Sequence, residues 1–287
     1  MNNIVAIIIA RGGSKRLLRK NVLPFAGKPL VEWSIIQARA ARCLTDHDIY
    51  LSTDDAEIAA IGRRCGIRVI RRPDWPNADE LSASAPISHA LEVIQKHRAP
   101  TLFFSLLPTS VCRLPGDLDR VLEHYRIMKP GHEDCYFAAM LTPQRETVIY
   151  ERYNDAMRCV LFDKHFRYYG LGPSAGLTEV SDFLRRDAAA PGSHTDAEAD
   201  AAVAGAEGVA ADVIRNSIFR NSYCITGKWY QAFDIDDAET FALNEILFKQ
   251  FILRGRGEEI YWSYKAGGED DRVDTDEQEA AERREVL

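Results

Sequence analysis

None of the six cysteines stands in a Cys-x-x-Cys pair. Cys43, Cys65, Cys112, Cys135, Cys159 and Cys224 are scattered through the chain, a pattern of reduced, partly buried thiols in a reducing compartment rather than a disulfide framework. No apolar stretch approaches the length of a membrane span. The opening Ile4–Ile9 run is short and Arg11 follows almost at once, so it reads as a buried strand and not a secretory segment. The cytoplasm is the expected location, with no membrane partner. Positive charge is scarce: Lys and Arg number 36 against 43 Asp and Glu, for a net charge of −7. Such a chain has no general attraction for nucleic acid. Two familiar phosphate-binding signatures are missing as well, G-x-x-x-x-G-K-[ST] and G-x-G-x-x-G. No internal repeat is visible.

What is present is a strand–helix rhythm. Ile4–Ala10 is continuously apolar, as a parallel strand buried on both faces would be. Leu30, Trp33, Ile36 and Ala40 have helical spacing, predicting a helix over about 29–42. Further strands are expected at 48–52, 68–70 and 101–107, and further helices at 54–65, 84–97 and 116–128. The alternation predicts an α/β fold with a doubly wound, mostly parallel sheet. Beyond it, a strand is expected at 135–141 and a hairpin of 147–150 with 159–162 around Asn154–Asp155. Residues 187–212 are rich in Ala and Gly with scattered acids and read as a flexible insertion. A helix is expected over 238–253. The reading is of one domain, 1–253, followed by a charged, solvated tail, 254–287.

Two local features carry chemistry. The first follows the opening strand: Ala10-Arg11-Gly12-Gly13-Ser14-Lys15-Arg16-Leu17-Leu18-Arg19-Lys20-Asn21. Gly12 and Gly13 let the backbone approach an anion closely, and five cationic side chains surround them. In an acidic protein this is a local reversal of sign, placed where doubly wound sheets bind their ligands. A triphosphate is the obvious partner; the plain alternative is a solvated basic turn. The second feature is Phe233-Asp234-Ile235-Asp236-Asp237, before the helix at 238. On a strand end, Asp234 and Asp236 would face one side and could hold a Mg²⁺. Alternatively Asp236 or Asp237 simply caps the helix. Asp274-Thr275-Asp276 repeats the spacing in a hydrophilic tail with no strand to hold it.

The loop resembles the first motif of the CMP-sugar synthetases: the acylneuraminate cytidylyltransferases and their pseudaminic, legionaminic and ketodeoxyoctonate relatives. Leu23–Leu30, Leu51-Ser52-Thr53-Asp54-Asp55, Arg72-Pro73 with Asp79, and Pro108-Thr109-Ser110 followed by Arg113 are similar to the family as well. The resemblance runs from Ile4 to about Tyr125 and is reduced to islands afterwards. It implies a nucleotide-diphospho-sugar transferase-like three-layer sandwich, a homodimer, Mg²⁺ as cofactor, and CTP and an acidic 2-keto sugar as substrates. Arg11, Gly12, Gly13, Ser14, Asn21 and Ser82 would contact the nucleotide, Lys15 and Lys20 its phosphates, and Arg72 would lie near the cytidine. Lys20, Asp234 and Asp236 would be catalytic, the two acids holding the metal, with a metal-bound water or Asp234 itself as the general base. Thr109, Ser110, Arg113, Arg220 and Asn221 would meet the sugar.

The implied activity is transfer of CMP from CTP to a nine-carbon sugar acid of the sialic, legionaminic or pseudaminic type. Alternatives are a ketodeoxyoctonate enzyme and a catalytically weak CTP-binding paralogue; a sugar-1-phosphate nucleotidyltransferase lacks support, because the usual Arg-Met-Gly is missing. The chain departs from the pattern at several points. Leu107 stands for a glutamine, and Val111-Cys112 for Pro-Leu. Ser82 and Ser84 stand one place from the expected serine positions, which hold Leu81 and Ala83. Ser222 stands for a glycine, and Asn221 lies unusually close to Asp234. His89 reads as a core or rim histidine, and Trp229, Tyr230 and Phe233 as packing residues.

Overall fold

The structure is a computed structural model. It describes residues 3–75, 81, 83–128, 134–140, 147–153, 156–163, 169–171, 175–189 and 222–267. In chain order the strands are β1 (Ile4–Ile9), β2 (Pro24–Phe25), β3 (Lys28–Pro29), β4 (Ile49–Thr53), β5 (Arg68–Arg71), β6 (Leu102–Leu106), β7 (Asp134–Met140), β8 (Thr147–Tyr153), β9 (Ala156–Asp163), β10 (Tyr169–Leu171), β11 (Ala175–Glu179) and β12 (Ser222–Gly227). The helices are α1 (Leu30–Ala40), α2 (Ala56–Arg64), α3 (Ser84–Gln95), α4 (Asp117–Met128), α5 (Val180–Ala189), α6 (Ala238–Leu247) and α7 (Glu259–Lys265).

The central strand is β1, paired in parallel with β4 on one side and β6 on the other. Its side chains alternate between two cores, as the two-residue strand period requires. Ala6 and Ile8 join a cluster with Val31 and Ile35 of α1, Ile58 of α2 and Val121 of α4. Val5, Ile7 and Ile9 join another with Ile87 and Leu91 of α3, and Phe183 of α5 packs against it. Helices therefore cover both faces, which explains why β1 reads as an unbroken apolar run rather than an alternating one. The parallel strands stand in the order β5–β4–β1–β6. β11 extends the sheet antiparallel to β6, and β7 pairs with β11, β10 and β12. The expected doubly wound, mostly parallel sandwich is the fold observed. The expected hairpin is β8 with β9; its turn, 154–155, lies outside the described residues. The antiparallel strands β10 and β11 and the helix α5 were not anticipated.

This strand order creates the site. From β1 the chain moves outward through β4 to β5, then returns to place β6 on the other flank of β1. The loops leaving β1 and β6 therefore stand side by side at the carboxyl ends of neighbouring strands, the end at which doubly wound sheets hold their ligand crevice.

The expected domain end at 253 is corrected. A third core cluster contains Trp33 and Ile36 of α1, Val111, Cys112, Tyr230, Ile235 and Phe248, and also Ile260 and Tyr261 of α7. Tyr261 is 1% exposed. The domain thus continues through α7, because its aromatic face fills the groove beside α1 while its charged residues face outward. Lys265 donates to the carbonyl of Arg39, in the last turn of α1 where carbonyls lack helical partners, and to those of Ala41 and Leu44 just beyond it. The Arg42 guanidinium lies 4.1 Å from the centre of the Tyr264 ring. The rest of the expected tail, from 268, and most of the expected insertion, 190–212, lie outside the described residues. The helix expected over 238–253 divides into α6 and a wider π-type turn, Phe248–Leu253, ended by left-handed Arg254. Among the described residues no helix is long and apolar enough to cross a membrane.

Tyr261→Ala should therefore cost on the order of 3 kcal/mol or more, seen as a lower midpoint in a denaturant or thermal melt. A solvated tail residue would cost nothing measurable.

Candidate functional site

The basic loop is shaped by the first residues after β4. The Gly12 N–H donates to Asp54 Oδ1 at 2.9 Å. A Cβ on Gly12 would stand 2.6 Å from Asp55 Oδ2 and 2.8 Å from Asp55 Cβ, so only glycine fits there. Asn21 is buried and donates to the Arg11 carbonyl at 2.9 Å, tying the end of the loop back to its start. Ser14 Oγ and Asn21 Oδ1 are buried polar atoms with no hydrogen-bond partner among the described residues. Unsatisfied groups of this kind call for an explanation, and a bound polar ligand is one. Gly13, Lys15 and Arg16 are exposed on the loop. Arg19 is not available to a ligand as the sequence suggested. Its backbone is left-handed, with φ 54°, and its guanidinium grips both oxygens of Asp55 and reaches Glu57 at 2.5 Å.

The acidic pair meets this loop across the crevice. Asp234 to Asp236 forms no strand, a correction to the expected strand end. The alternation survives nonetheless. Ile235 is fully buried, its N–H donates to the Thr109 carbonyl at 3.0 Å, and Asp234 and Asp236 flank it in exposed positions. Capping falls to Asp237, whose side chain accepts from the Thr240 N–H at 2.9 Å. The other two carboxylates are thereby left for other work.

Lys20 joins the two halves of the site. Its Nζ donates to the Ile235 carbonyl at 2.5 Å and lies 3.9 Å from Asp236 Oδ1, while Arg16 reaches Asp236 at 3.1 Å. Burial lowers the Lys20 pKa, against the pull of Asp236 and Asp234. Asp234 is exposed as a residue, yet its carboxyl head accepts from the Ser110 hydroxyl and is crowded by protein. That burial pushes its pKa up, while Ser110 and Arg113 draw it down.

Among the described residues no group of three or more His, Cys, Asp or Glu could hold a metal ion. A protein cage is therefore absent from that part of the chain. Asp234 and Asp236 fit the other kind of site, in which Mg²⁺ takes one or two carboxylates and completes its shell with water and phosphate oxygens.

The loop after β6 is locked from beneath. Arg113 was expected at the sugar, but it is 0% exposed. Its guanidinium donates to Gln37 Oε1 at 2.8 Å and to the Leu107 carbonyl at 2.7 Å, so it braces the loop from inside. Gln37 donates to the Val111 carbonyl, the Tyr261 hydroxyl to the Arg113 carbonyl, and Gln231 to the Cys112 carbonyl and Asp117. Burial pulls Arg113 down to about 10 and pushes Asp117 above the usual carboxylate range. Val111 and Cys112 are core residues, so this departure from the family pattern changes packing and not a ligand surface. Leu107 is half-buried against the α3–α5 core. Of the other expected sugar residues, Thr109 and Ser110 hold the Asp234–Ile235 segment, and Arg220 and Asn221 lie outside the described residues, as does Ser82.

On the remaining flank, Arg72 donates to Ser52 Oγ at 3.0 Å and to the Ser52 carbonyl at 2.9 Å. Burial lowers its pKa to about 10, opposed by Asp54 and reinforced by Arg11, which places both beside it. His89 packs edge-on against Trp75 at 5.8 Å, as a rim histidine would. Sequence reasoning missed Gln37, Asp55, Asp117, Gln231 and Tyr261. Of these Asp55 and Asp117 left a signal, an Asp at a helix start; the others are ordinary residues until their partners are known.

Residues 5–105 match the cytidylyltransferase family model. The chain is 38% identical over 96 residues to the pseudaminic acid cytidylyltransferase of Campylobacter jejuni, covering 33% of this chain and 40% of that protein. It is 31% identical over 134 residues to N-acylneuraminate cytidylyltransferase A of Danio rerio, covering 47% of this chain and 30% of that protein. The chain thus spans less than half the length of either relative. Among solved structures, CMP:2-keto-3-deoxy-manno-octonic acid synthetase complexed with CTP superposes with a TM-score of 0.59 at 18% identity, over 87% of this chain and 99% of that one. The resemblance to the CMP-sugar synthetases and the nucleotide-sugar transferase fold are both borne out.

Ser110→Ala should raise the Asp234 pKa further, because the lost hydrogen bond favours the ionised form. A carboxyl-carbon NMR titration reads the shift directly.

Proposed function

We propose, on the premise that residues 5–105 match the cytidylyltransferase family model, that this chain transfers CMP from CTP to an acidic 2-keto sugar of the nine-carbon, nonulosonic type. The observation that carries the reading is the meeting of the basic loop with Asp234 and Asp236 through Lys20, at the reversal point between β1 and β6. The anomeric hydroxyl oxygen attacks the α-phosphorus of CTP, the bond to the β-phosphate oxygen breaks, pyrophosphate leaves, and the hydroxyl proton passes to a nearby base or water.

The chain's part is positioning and charge. The Gly13 backbone, Lys15 and Lys20 would receive the phosphates and Arg11 would contact the nucleotide, and the unsatisfied Ser14 and Asn21 groups suit a polar nucleotide above them. Lys20 sits between the loop and the acids, where charge develops at the α-phosphate. Arg72 would border the cytidine, and Thr109 and Ser110 the sugar. Mg²⁺ is the inferred cofactor; Asp234 and Asp236 would hold it, and it would supply neutralisation of charge on the departing pyrophosphate. A homodimer acting in the cytoplasm completes the proposal. The fold shared with an octonic acid synthetase keeps an eight-carbon acid as the second reading.

The test is pyrophosphate release from CTP and Mg²⁺ across a panel of eight- and nine-carbon 2-keto acid sugars, with ATP, UTP and GTP as controls. Release with CTP and a nine-carbon acid supports the proposal, and Asp236→Ala should cut kcat by about 100-fold or more. Tight CTP binding without release for any sugar would overturn it in favour of a non-catalytic paralogue.

A further inference from the structure

One carboxylate touches both ends of the basic loop. Asp55 caps α2, its Oδ1 accepting from the Glu57 and Ile58 N–H groups at 2.9 Å each. The same carboxylate receives the forked guanidinium of Arg19, at 2.9 Å on Oδ2 and 3.2 Å on Oδ1. At the other end of the loop Gly12 lies so close to Asp55 that a Cβ there would stand 2.6 Å from its Oδ2. Asp54, its neighbour, takes the Gly12 N–H.

The loop thus leaves β1 against Asp55 and returns to it through Arg19. Arg19 is a non-glycine residue at φ 54°, a conformation that persists only where its surroundings over-determine it. The bidentate fork supplies that determination, since a planar guanidinium on a carboxylate fixes both distance and orientation. The charge arithmetic points the same way. A bare carboxylate beside a triphosphate loop would repel the ligand, but Asp55 has its charge met by Arg19 and two helix N–H groups.

We infer that Asp55 is a positioning residue that pins the anion-binding loop closed before nucleotide arrives, acting through Arg19 and the close approach of Gly12. This rests on the reading of that loop as the triphosphate site. A pre-closed loop spares the binding step the cost of ordering it. If breaking the latch leaves the closed form populated about one-tenth of the time, the apparent Kd for CTP rises about tenfold.

Two variants of the full chain separate positioning from mere support. Asp55→Asn keeps the helix cap, at which Asn serves as well as Asp, and removes the ion pair. Arg19→Gly removes the same ion pair and relieves the left-handed backbone. Both should raise the CTP Kd by about tenfold in calorimetry with little change in melting temperature, and the double variant should bind no worse than the weaker single one. In ligand-free protein both should speed hydrogen exchange at the amides of 11–20. Unchanged exchange in both variants, or a lower melting temperature with affinity intact, would overturn the inference. Should the parent protein bind no nucleoside triphosphate, the proposed function fails by itself, and the exchange measurement still decides whether Asp55 closes the loop.

Discussion

Ile235 is the residue on which the site depends. Its side chain is fully buried among Phe25, Trp33, Val111 and Phe248, and its N–H and carbonyl are taken by the Thr109 carbonyl and the Lys20 ammonium. An apolar side chain anchored in the core of an extended segment forces its neighbours outward. Asp234 and Asp236 are those neighbours, and the crevice is where outward leads. The acids are therefore placed by hydrophobic burial, and their charges are then shared among Ser110, Lys20 and Arg16.

Beneath the surface, the loop after β6 stands on buried polar side chains. Arg113, Asp117, Gln37 and Gln231 are each at most 3% exposed, and each spends hydrogen bonds on loop carbonyls, loop N–H groups or one another. Buried polar groups are costly unless satisfied, so a network of this kind holds one conformation firmly. The C-terminal helix enters it through the Tyr261 hydroxyl. An element that reads as the start of a tail is thus part of the support of the loop after β6.

The charge pattern follows the same division of labour. The basic loop stands out against a net charge of −7, yet its cations are not equivalent. Arg19 closes the loop on Asp55, Lys20 bridges to the acids, and Lys15 stays exposed. Arg72 is held to Ser52 from the next strand. Field and geometry are set by different residues, which a count of positive charges does not reveal.

Much of this was legible in the chain itself. The unbroken apolar run of β1, the glycines and cations after it, and the Asp-Ile-Asp alternation are local patterns, and local patterns follow from backbone period and side-chain chemistry. The doubly wound sheet and its crevice follow from them in turn. What the tertiary structure alone decided is which partner each charge meets. Lys20 and the Ile235 carbonyl are 215 residues apart in the chain, and Gln37 and Tyr261 are 224 apart. Arg113 was expected to meet the sugar because of the family resemblance, and it became a buried brace because Gln37 and the Leu107 carbonyl surround it. Arg19 counted as one more cation beside the glycines until Asp55 stood opposite it. Sequence assigns a residue its chemistry, but burial and the distance to a partner decide whether that chemistry faces a ligand or the protein, and those are properties of the packed chain.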